Sequence, residues 1–591
     1  MNEEAIKTEV LVIGGGGAGL RAAIGAAESG AETLLISKGP LARCGATPMA
    51  GADFTLCGRD LADLGFTGEP HDSSEKVFND IVTQGFYLNN QKLLEQYIQA
   101  APFRLKELLE WGIQVVGSEE RAIFTSGLNI IDALLRRAKE CGVKFLDDIM
   151  ILDLVTSDGR VAGALGLDIN RGEFLRFDAK AVVICSGGWH KAFWPNTGMR
   201  DLSGEGIALA HRAGAEIGNM EFITFCCNIL YSPPVYRGSV AAYILYVLVG
   251  GRLSNSDGEF FLEKYDPALT RVGTETEWNK CFLSFTSMKE VRDGKGSPNG
   301  GILYDRGDVP WDRFEVSPAQ FFKNWKYKAM DLSKLRNMLK DRVPVEVGPA
   351  AQYFDGGIVV SHRFETSLRG LYAAGECTLG PFGANRVFSA ITEMLVQGRD
   401  AGKNAAEYAR YAQIPQPNSQ AFNQRKEKAE SPLPAKEGLR AATIRRDLQE
   451  KAHKFLGPIR NEEELIRFVS ILNDIKKNKL PHLSTVSKSR IYNKEWIDAL
   501  ELENMVFLLE AAAKSALWRE ESRGVHFRED FPNTDNDRFL VESRVKWEEG
   551  ALKVSSAPAT ITTFSPPGGK IPYLDMMKSM MAAHSDVGGH H

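Results

Sequence analysis

The chain has no Cys-x-x-Cys pair. Its eight cysteines, Cys44, Cys57, Cys141, Cys185, Cys226, Cys227, Cys281 and Cys377, also lack metal-finger spacing. They read as reduced thiols, mostly core, and the chain is expected to ligate neither a metal ion nor an iron–sulfur cluster. Long hydrophobic runs are scarce. The longest nearly uncharged one, Val240–Gly251, is too short to span a bilayer. The N-terminus lacks the charged segment and hydrophobic core of a signal peptide. A cytoplasmic protein is expected, peripheral at the inner face of a membrane only through partner subunits. Neither sign of charge dominates: 71 Lys and Arg against 76 Asp and Glu leave −5. With no basic arm or aromatic-interleaved basic patch, nucleic acid is not an expected partner. No internal repeat occurs. What remains is ordinary globular usage, 591 residues with 43% hydrophobic and 25% charged, enough for two to four domains.

The most informative stretch is Glu9-Val-Leu-Val-Ile-Gly-Gly-Gly-Gly-Ala-Gly19, followed by the Ala-rich Leu20–Ala27. An apolar strand runs into Gly14-x-Gly16-x-x-Gly19 and then into a helix. The glycines permit a tight turn and close approach to a pyrophosphate, and the helix N-terminus offers N–H groups and a positive dipole end. A dinucleotide is expected here. The next strand, Thr33–Ile36, ends in Ser37-Lys38 rather than in the acidic residue that usually holds an adenosine ribose, so the motif alone does not choose between NAD and FAD.

Residues 1 to about 57 read as a βαβ opening and about 72–142 as helical, with apolar residues three and four apart in Lys92–Leu109 and Ile130–Cys141. Strands return at Lys144–Val155, Arg160–Leu167 and Ala181–Ile184. The last leads into the small-residue turn Cys185-Ser186-Gly187-Gly188, at the end of the strand where open α/β sheets bind ligands. Residues 225–345, less regular and rich in aromatics, read as an insertion. The nucleotide-domain pattern resumes at Gly357–Val360 and Gly370–Glu376 and continues into a helix from about Thr392 to Tyr411. Ile414–Lys436 looks like a linker, about 437–530 is helical, and the last 60 residues read as a strand-poor tail.

Taken in order, further motifs resemble one family. They are Ile36-Ser37-Lys38, Ser203-Gly-Glu-Gly206 with Ala213-Gly-Ala215, Met220-Glu-Phe222, Asn255-x-Asp-Gly258, Gly356-Gly-Ile358, Gly375-Glu-Cys377, Gly383-Ala-Asn-Arg386 and Arg519-Glu-Glu-Ser-Arg-Gly524. The chain is similar over nearly its whole length to the flavoprotein subunits of succinate dehydrogenase and fumarate reductase, with L-aspartate oxidase and adenylylsulfate reductase as relatives. The resemblance implies an α/β fold: a Rossmann-like FAD-binding domain (1–224 and 346–413), an inserted α+β capping domain (225–345), a C-terminal helical domain (437–530) and the tail (531–591). It implies FAD, held by Gly14, Gly16, Gly19, Ser37, Lys38, Arg43, Gly45, Thr47, Gly51, Ser186, Gly187, Gly188, Glu205, Glu376, Arg386 and Ser389. Glu376 is expected at the ribityl hydroxyls and Glu205 near the adenine half, because a carboxylate can accept from two vicinal hydroxyls. It also implies an iron–sulfur partner subunit within a larger redox or membrane-associated complex. Arg519–Glu529, with His526, is expected to face both the nucleotide domain and that partner.

The departures carry as much information. Counting without gaps, the histidine that binds flavin covalently in respiratory relatives falls on Gly45, so FAD is expected to be non-covalent. The family's substrate histidines fall on Cys226 and Gln352, and its proton-donor arginine on Val247, leaving Arg386 of the usual anion-gripping groups. Fumarate reduction needs a proton donor opposite the flavin and partners for two desolvated carboxylates. The segment Ala241–Val249 therefore reads either as a filler that closes an unused pocket or as the wall of a site for a larger, less charged substrate. In the second case Tyr243 or Tyr246 is the candidate acid and Arg386 the anchor. Cys226-Cys227 invites a thiol–disulfide reading, but adjacent cysteines rarely form an active pair. Three functions stay open: an FAD oxidoreductase with an atypical substrate, an electron relay without substrate chemistry, and an ordinary fumarate reductase or succinate dehydrogenase.

Overall fold

The computed structural model describes residues 5–51, 53–272, 280–314, 331–386, 388–415 and 419–585. Val10–Ile13 is apolar without alternation, as suits a strand covered on both faces. The strand Ile6–Ile13 lies inside a seven-stranded sheet, paired in parallel with Thr33–Ile36 on one side and Glu173–Ile184 on the other. Lys144–Leu146 extends the sheet beyond Thr33–Ile36. The antiparallel strands Arg160–Asp168 and Ile149–Ser157 extend the opposite side. Leu371–Ala373 returns from far along the chain to pair in parallel with Val182–Ile184. The carboxyl ends of five parallel strands thus converge on one edge, the ligand edge of an α/β sheet.

Helices Gly17–Glu28 and Ala390–Tyr411 cover this sheet and touch backbone to backbone. A Cβ at Gly25 would stand 2.5 Å from the Arg399 carbonyl oxygen, and one at Gly402 would stand 1.9 Å from that of Ala22. The insertion is mixed, as expected. Ile223–Ser232, Val345–Phe354, Ile302–Asp305 and Arg252–Ser254 form an antiparallel sheet in that order. Helices Ala241–Val249 and Lys280–Glu290 pack on its first strand.

Two expectations are corrected. The presumed linker contains the helix Ser419–Glu430, whose neighbours, not its composition, fix it: Arg425 and Lys428 reach Glu503 at 3.1 and 2.6 Å. The tail is not strand-poor. Val541–Glu548 and Ala551–Pro558 form a hairpin whose Arg544 and Val545 pair with Gly218 and Ile217, and Tyr573–Ser585 is a helix. The charges interleaved through the hairpin hide the alternation that buries Val545 and Leu552.

The helix Lys494–Trp518, capped by the Asn493 side chain, is held by charge. Burial alone would raise the Glu503 carboxyl, but Arg425, Lys428 and Arg212 outweigh it and lower the group to about 2 from its ordinary 4.5. A carboxyl lowered in the folded state stabilises fully above its unfolded pKa and loses that contribution as pH falls through its folded one. Glu503→Gln should therefore lower the urea midpoint at pH 7, and the gap between variant and parent should close between pH 4.5 and 2. A gap unchanged at pH 2 would refute this account.

Candidate active site

The glycine turn forms because nothing larger fits. Gly14 sits at φ +124°, and a Cβ there would lie 2.1 Å from the Cys185 carbonyl oxygen. A Cβ at Gly19 would lie 1.7 Å from the Gly14 carbonyl oxygen, so Gly19 sets the closeness of helix to strand and does not itself line the site. Gly16 caps the helix without a side chain, and the Gly17 N–H donates to Thr47 Oγ1 at 3.1 Å. In front of this turn opens a cavity of about 380 Å³.

Its walls bring together Gly14, Gly16, Ser37, Lys38, Gly45 and Thr47 with Gly51, Ser186, Gly187, Glu205, Glu376 and Ser389. Glu376 Oε2 accepts from the Gly188 N–H at 3.1 Å, so Gly188 positions the carboxylate from behind. The other oxygen, Oε1, is buried and accepts no hydrogen bond. A buried carboxylate oxygen left open to a cavity suits a ligand that brings hydroxyl donors. Lys38 Nζ donates to Ser203 Oγ at 2.7 Å and to the Asp201 carbonyl at 3.1 Å, and it pairs with Glu205 and, at 2.7 Å, with Glu501. Burial opposes the ammonium, yet the two glutamates raise its pKa well above normal. This cluster fixes the direction of Glu205, the first residue of helix Glu205–Arg212.

Besides Gly19 and Gly188, three further expected contacts are not in this cavity. Arg43 is half exposed and pairs with Asp132 at 2.8 Å, because the chain turns outward at Leu41–Cys44. Arg386 is buried behind Tyr353 and Phe382. It pairs with Glu393 and, at 3.5 Å, with Asp355, so its charge is already compensated. Burial, opposed by Arg386, raises Asp355 to about 6. Tyr246 packs edge-on against Tyr304 at 5.9 Å, away from the cavity, whereas Tyr243 lines it. Cys226 packs with Ile229 and Ala350, and burial pushes the Cys227 thiol well up. Both read as packed thiols rather than nucleophiles.

Among the cavity residues that sequence reasoning missed, two carry buried nitrogen groups. His190, just past the Ser186–Gly188 turn, is buried, bonds the Gln352 carbonyl oxygen through Nε2 at 2.6 Å and leaves Nδ1 without a partner. Its only signal was a polar residue directly after a ligand-edge turn. Lys280 begins the helix Lys280–Glu290, is buried at 4% exposure, and holds its ammonium 5.2 Å from the centre of the Tyr243 ring. The signal was one cation heading the uninterrupted buried run Cys281–Ser287. Val247, where the gap-free count put the proton donor, is 38% exposed and lies off the cavity. With Lys280, the apolar walls Val240, Ile244 and Phe388 close the end of the cavity under the insertion.

A model of the FAD binding domain matches residues 9–125 and 116–390, and one of the fumarate reductase flavoprotein C-terminal region matches 445–571. The chain belongs to the fumarate reductase and succinate dehydrogenase flavoprotein family. It is 30% identical over 570 residues to a subunit of the fumarate reductase (CoM/CoB) of Methanothermobacter marburgensis, covering 93% of this chain and 98% of that one. It is also 30% identical over 604 residues to the fumarate reductase flavoprotein subunit of Mycobacterium tuberculosis, covering 95% and 98%. Among solved structures, Mycobacterium smegmatis Sdh1 in complex with UQ1 superposes with a TM-score of 0.83 at 29% identity, covering 95% of this chain and 96% of that one. The family flavoprotein is thus an FAD-dependent oxidoreductase, and the glycine cradle and the open Glu376 oxygen fit that cofactor.

The Arg519–Glu529 segment of this flavoprotein lies where expected against the nucleotide-binding part, with the Val525 N–H on the Ala384 carbonyl oxygen at 3.0 Å. Most of its charges nevertheless face inward, with Glu520 and Glu529 the partly exposed ones. Arg519, Glu521, Arg523 and His526 are fully buried. Arg519 pairs with Glu221 at 2.6 Å and Glu521 at 3.0 Å, and Arg523 pairs with Glu521 at 2.8 Å. Burial, and then Arg460, Arg528 and Arg519, hold the His526 imidazole neutral.

Proposed function

We propose that this chain is the flavin-bearing subunit of a redox complex that exchanges electrons between an atypical organic substrate and a separate iron–sulfur protein. Residues 1–224 and 346–413 would hold FAD and 225–345 would cover the substrate. The observation that carries the substrate reading is Lys280: a buried ammonium beside Tyr243 in a cavity also lined by Val240, Ile244, Phe388 and Gln352. Such a wall favours a substrate with one anionic group and an apolar body over a small dianion, since a second desolvated carboxylate would need its own partner. When bound, FAD supplies two-electron hydride exchange at its N5. Lys280 Nζ is placed to supply the proton that a neighbouring substrate carbon gains, and the Tyr243 ring face lies beside that nitrogen. Gln352 Oε1, buried without a partner, orients a donor group of the substrate. The apolar walls exclude water.

A second reading, reduction of fumarate itself, is favoured by the names of the 30%-identical relatives. Anaerobic stopped-flow reoxidation of the reduced protein separates the two. Faster reoxidation by 2-butenoate than by fumarate supports the atypical substrate, and fumarate turnover at tens per second, a typical enzyme rate, supports the second. Reoxidation by neither returns the relay reading. The partner reading is tested by purification from the native host: an iron–sulfur protein should co-elute, and a chain that purifies alone and turns over with a free two-electron donor would refute it.

FAD is proposed to be non-covalent because Gly45, at the position of the covalent histidine, offers no side chain. Acid precipitation should release all flavin into the supernatant. Flavin retained on the pellet would overturn this and direct attention to the neighbouring Cys44, whose Sγ lies 3.3 Å from Ser37 Oγ.

A further inference from the structure

A second recess, of about 720 Å³, lies on the other side of the strap Trp194–Thr197 from the flavin cavity. Trp194 and Pro195 face this recess, whereas Thr197 and Gly198 face the cavity. It is walled by the insertion on one side and by helix Ala441–Phe455 on the other. Of the family segments named above, only Glu529 reaches it.

Its chemistry is unbalanced in a specific way. The lining carboxylates are engaged: Glu464 and Glu529 by Arg292 at 2.6 and 2.8 Å, Asp293 by Lys289 at 3.1 Å, and Glu450 by Arg446 at 3.7 Å. Arg237 is different. Its guanidinium stands over the rings of Trp194 and Tyr231, 5.9 and 5.6 Å from their centres. It has no carboxylate partner among the described residues, and its Nε is buried without a hydrogen bond. Beside it, His453 Nδ1 is also buried and unpartnered. The tautomer follows from the neighbours. Tyr231 Oη donates to the Pro349 carbonyl oxygen at 2.5 Å, so it accepts from His453 Nε2–H at 3.2 Å, which leaves Nδ1 as a lone-pair acceptor. Burial and then Arg237 push the imidazole pKa down to about 4, consistent with a neutral ring. The buried Nε of a half-buried guanidinium and a buried neutral acceptor are therefore both unsatisfied in one recess, each a loss that a complementary ligand recovers.

We propose that this recess is a second ligand site, distinct from the flavin cavity, that binds a small hydroxycarboxylate. The carboxylate sits on the Arg237 guanidinium and the hydroxyl donates to His453 Nδ1. A plain carboxylate satisfies only the first group. A hydroxyl on the adjoining carbon satisfies both. The flat guanidinium, braced between two aromatic faces, is preorganised for a planar anion.

The test is titration calorimetry of the FAD-loaded protein with lactate and with propionate, following the flavin absorbance in parallel. Lactate should bind once per chain and more tightly than propionate, without a flavin spectral change. Arg237→Gln should weaken lactate by about tenfold or more, the worth of one charge-assisted hydrogen bond, with flavin content intact. His453→Phe should erase the preference for lactate over propionate. If Arg237→Gln does not fold, Arg237→Lys, which keeps the charge and loses Nε, should still weaken lactate severalfold. The proposal is overturned if lactate does not bind, if it binds no better than propionate, if its affinity survives loss of Arg237, or if its binding tracks a flavin spectral change, which would place it in the first cavity.

Discussion

Lys280→Met should lower the rate of substrate-driven flavin reoxidation by about 10²- to 10⁴-fold, the usual worth of a positioned general acid, while flavin content stays at the parent level. Methionine keeps the length and the apolar stem, so the helix Lys280–Glu290 should remain docked on Ile223–Ser232. What is lost is the ammonium beside Tyr243. Lys280→Arg should retain part of the rate, because charge survives although a guanidinium gives up its proton less readily than an ammonium. Val247→Arg should change little, since that side chain points away from the cavity. The measurement is anaerobic stopped-flow with whichever acceptor reoxidises the parent fastest. A Lys280→Met rate within threefold of the parent would remove Lys280 from the chemistry.

The second large effect is on stability. Arg519→Met should destabilise the chain by about 3–5 kcal/mol, because removing one member of a buried ionic network strands the others. Arg519 also donates to the carbonyls of Phe539 and Val541 at 2.9 and 2.8 Å, tying the helix Lys494–Trp518 to the C-terminal hairpin. Glu221 would keep only Ser543 Oγ, at 2.8 Å, among its present side-chain partners. Against an ordinary total of about 5–15 kcal/mol, such a loss should show as a much lower urea midpoint and poor soluble yield. Arg538→Ala is the control: its ion pair with Glu520 is exposed, 64% and 39%, and pairs of that kind contribute about 0–1 kcal/mol. Equal midpoints for Arg519→Met and the parent would mean that the network is not what holds these elements together.

The contrast between these sites explains what the sequence discloses. The strand–turn–helix at residues 9–28 is legible because its cause is close at hand: Gly19 is required by the Gly14 carbonyl oxygen of the same turn and Gly14 by the end of the adjoining strand. Glu376 and the Ser186–Gly188 turn are legible through their place at strand ends. Lys280 is not, since its meaning comes from a sheet and a helix that bring it to Tyr243, and a count without gaps lands on Val247 instead. Tyr243 and Tyr246 share one short helix, yet only the fold of Ile302–Asp305 decides that Tyr246 meets Tyr304. The run at Arg519–Glu529 looks like a solvated surface because its compensating groups, Glu221 above all, stand some 300 residues away. Charge density marks a surface only when the neutralising partners are absent, and sequence order conceals them.

The return of Leu371–Ala373 to the central sheet has a consequence for timing. While the chain is being made, the flank of Val182–Ile184 has no neighbour until the whole insertion has emerged. At about 5–20 residues per second, the intervening stretch takes roughly 10–40 s to synthesise. Throughout that interval an apolar parallel strand presents unpaired N–H and C=O groups, the arrangement most prone to adding a strand from another molecule. The nucleotide cradle cannot close earlier, because Glu376 follows that same strand. Newly made chains therefore carry an unpaired strand edge for the length of the insertion, and the Glu376 side of the cradle is completed after it.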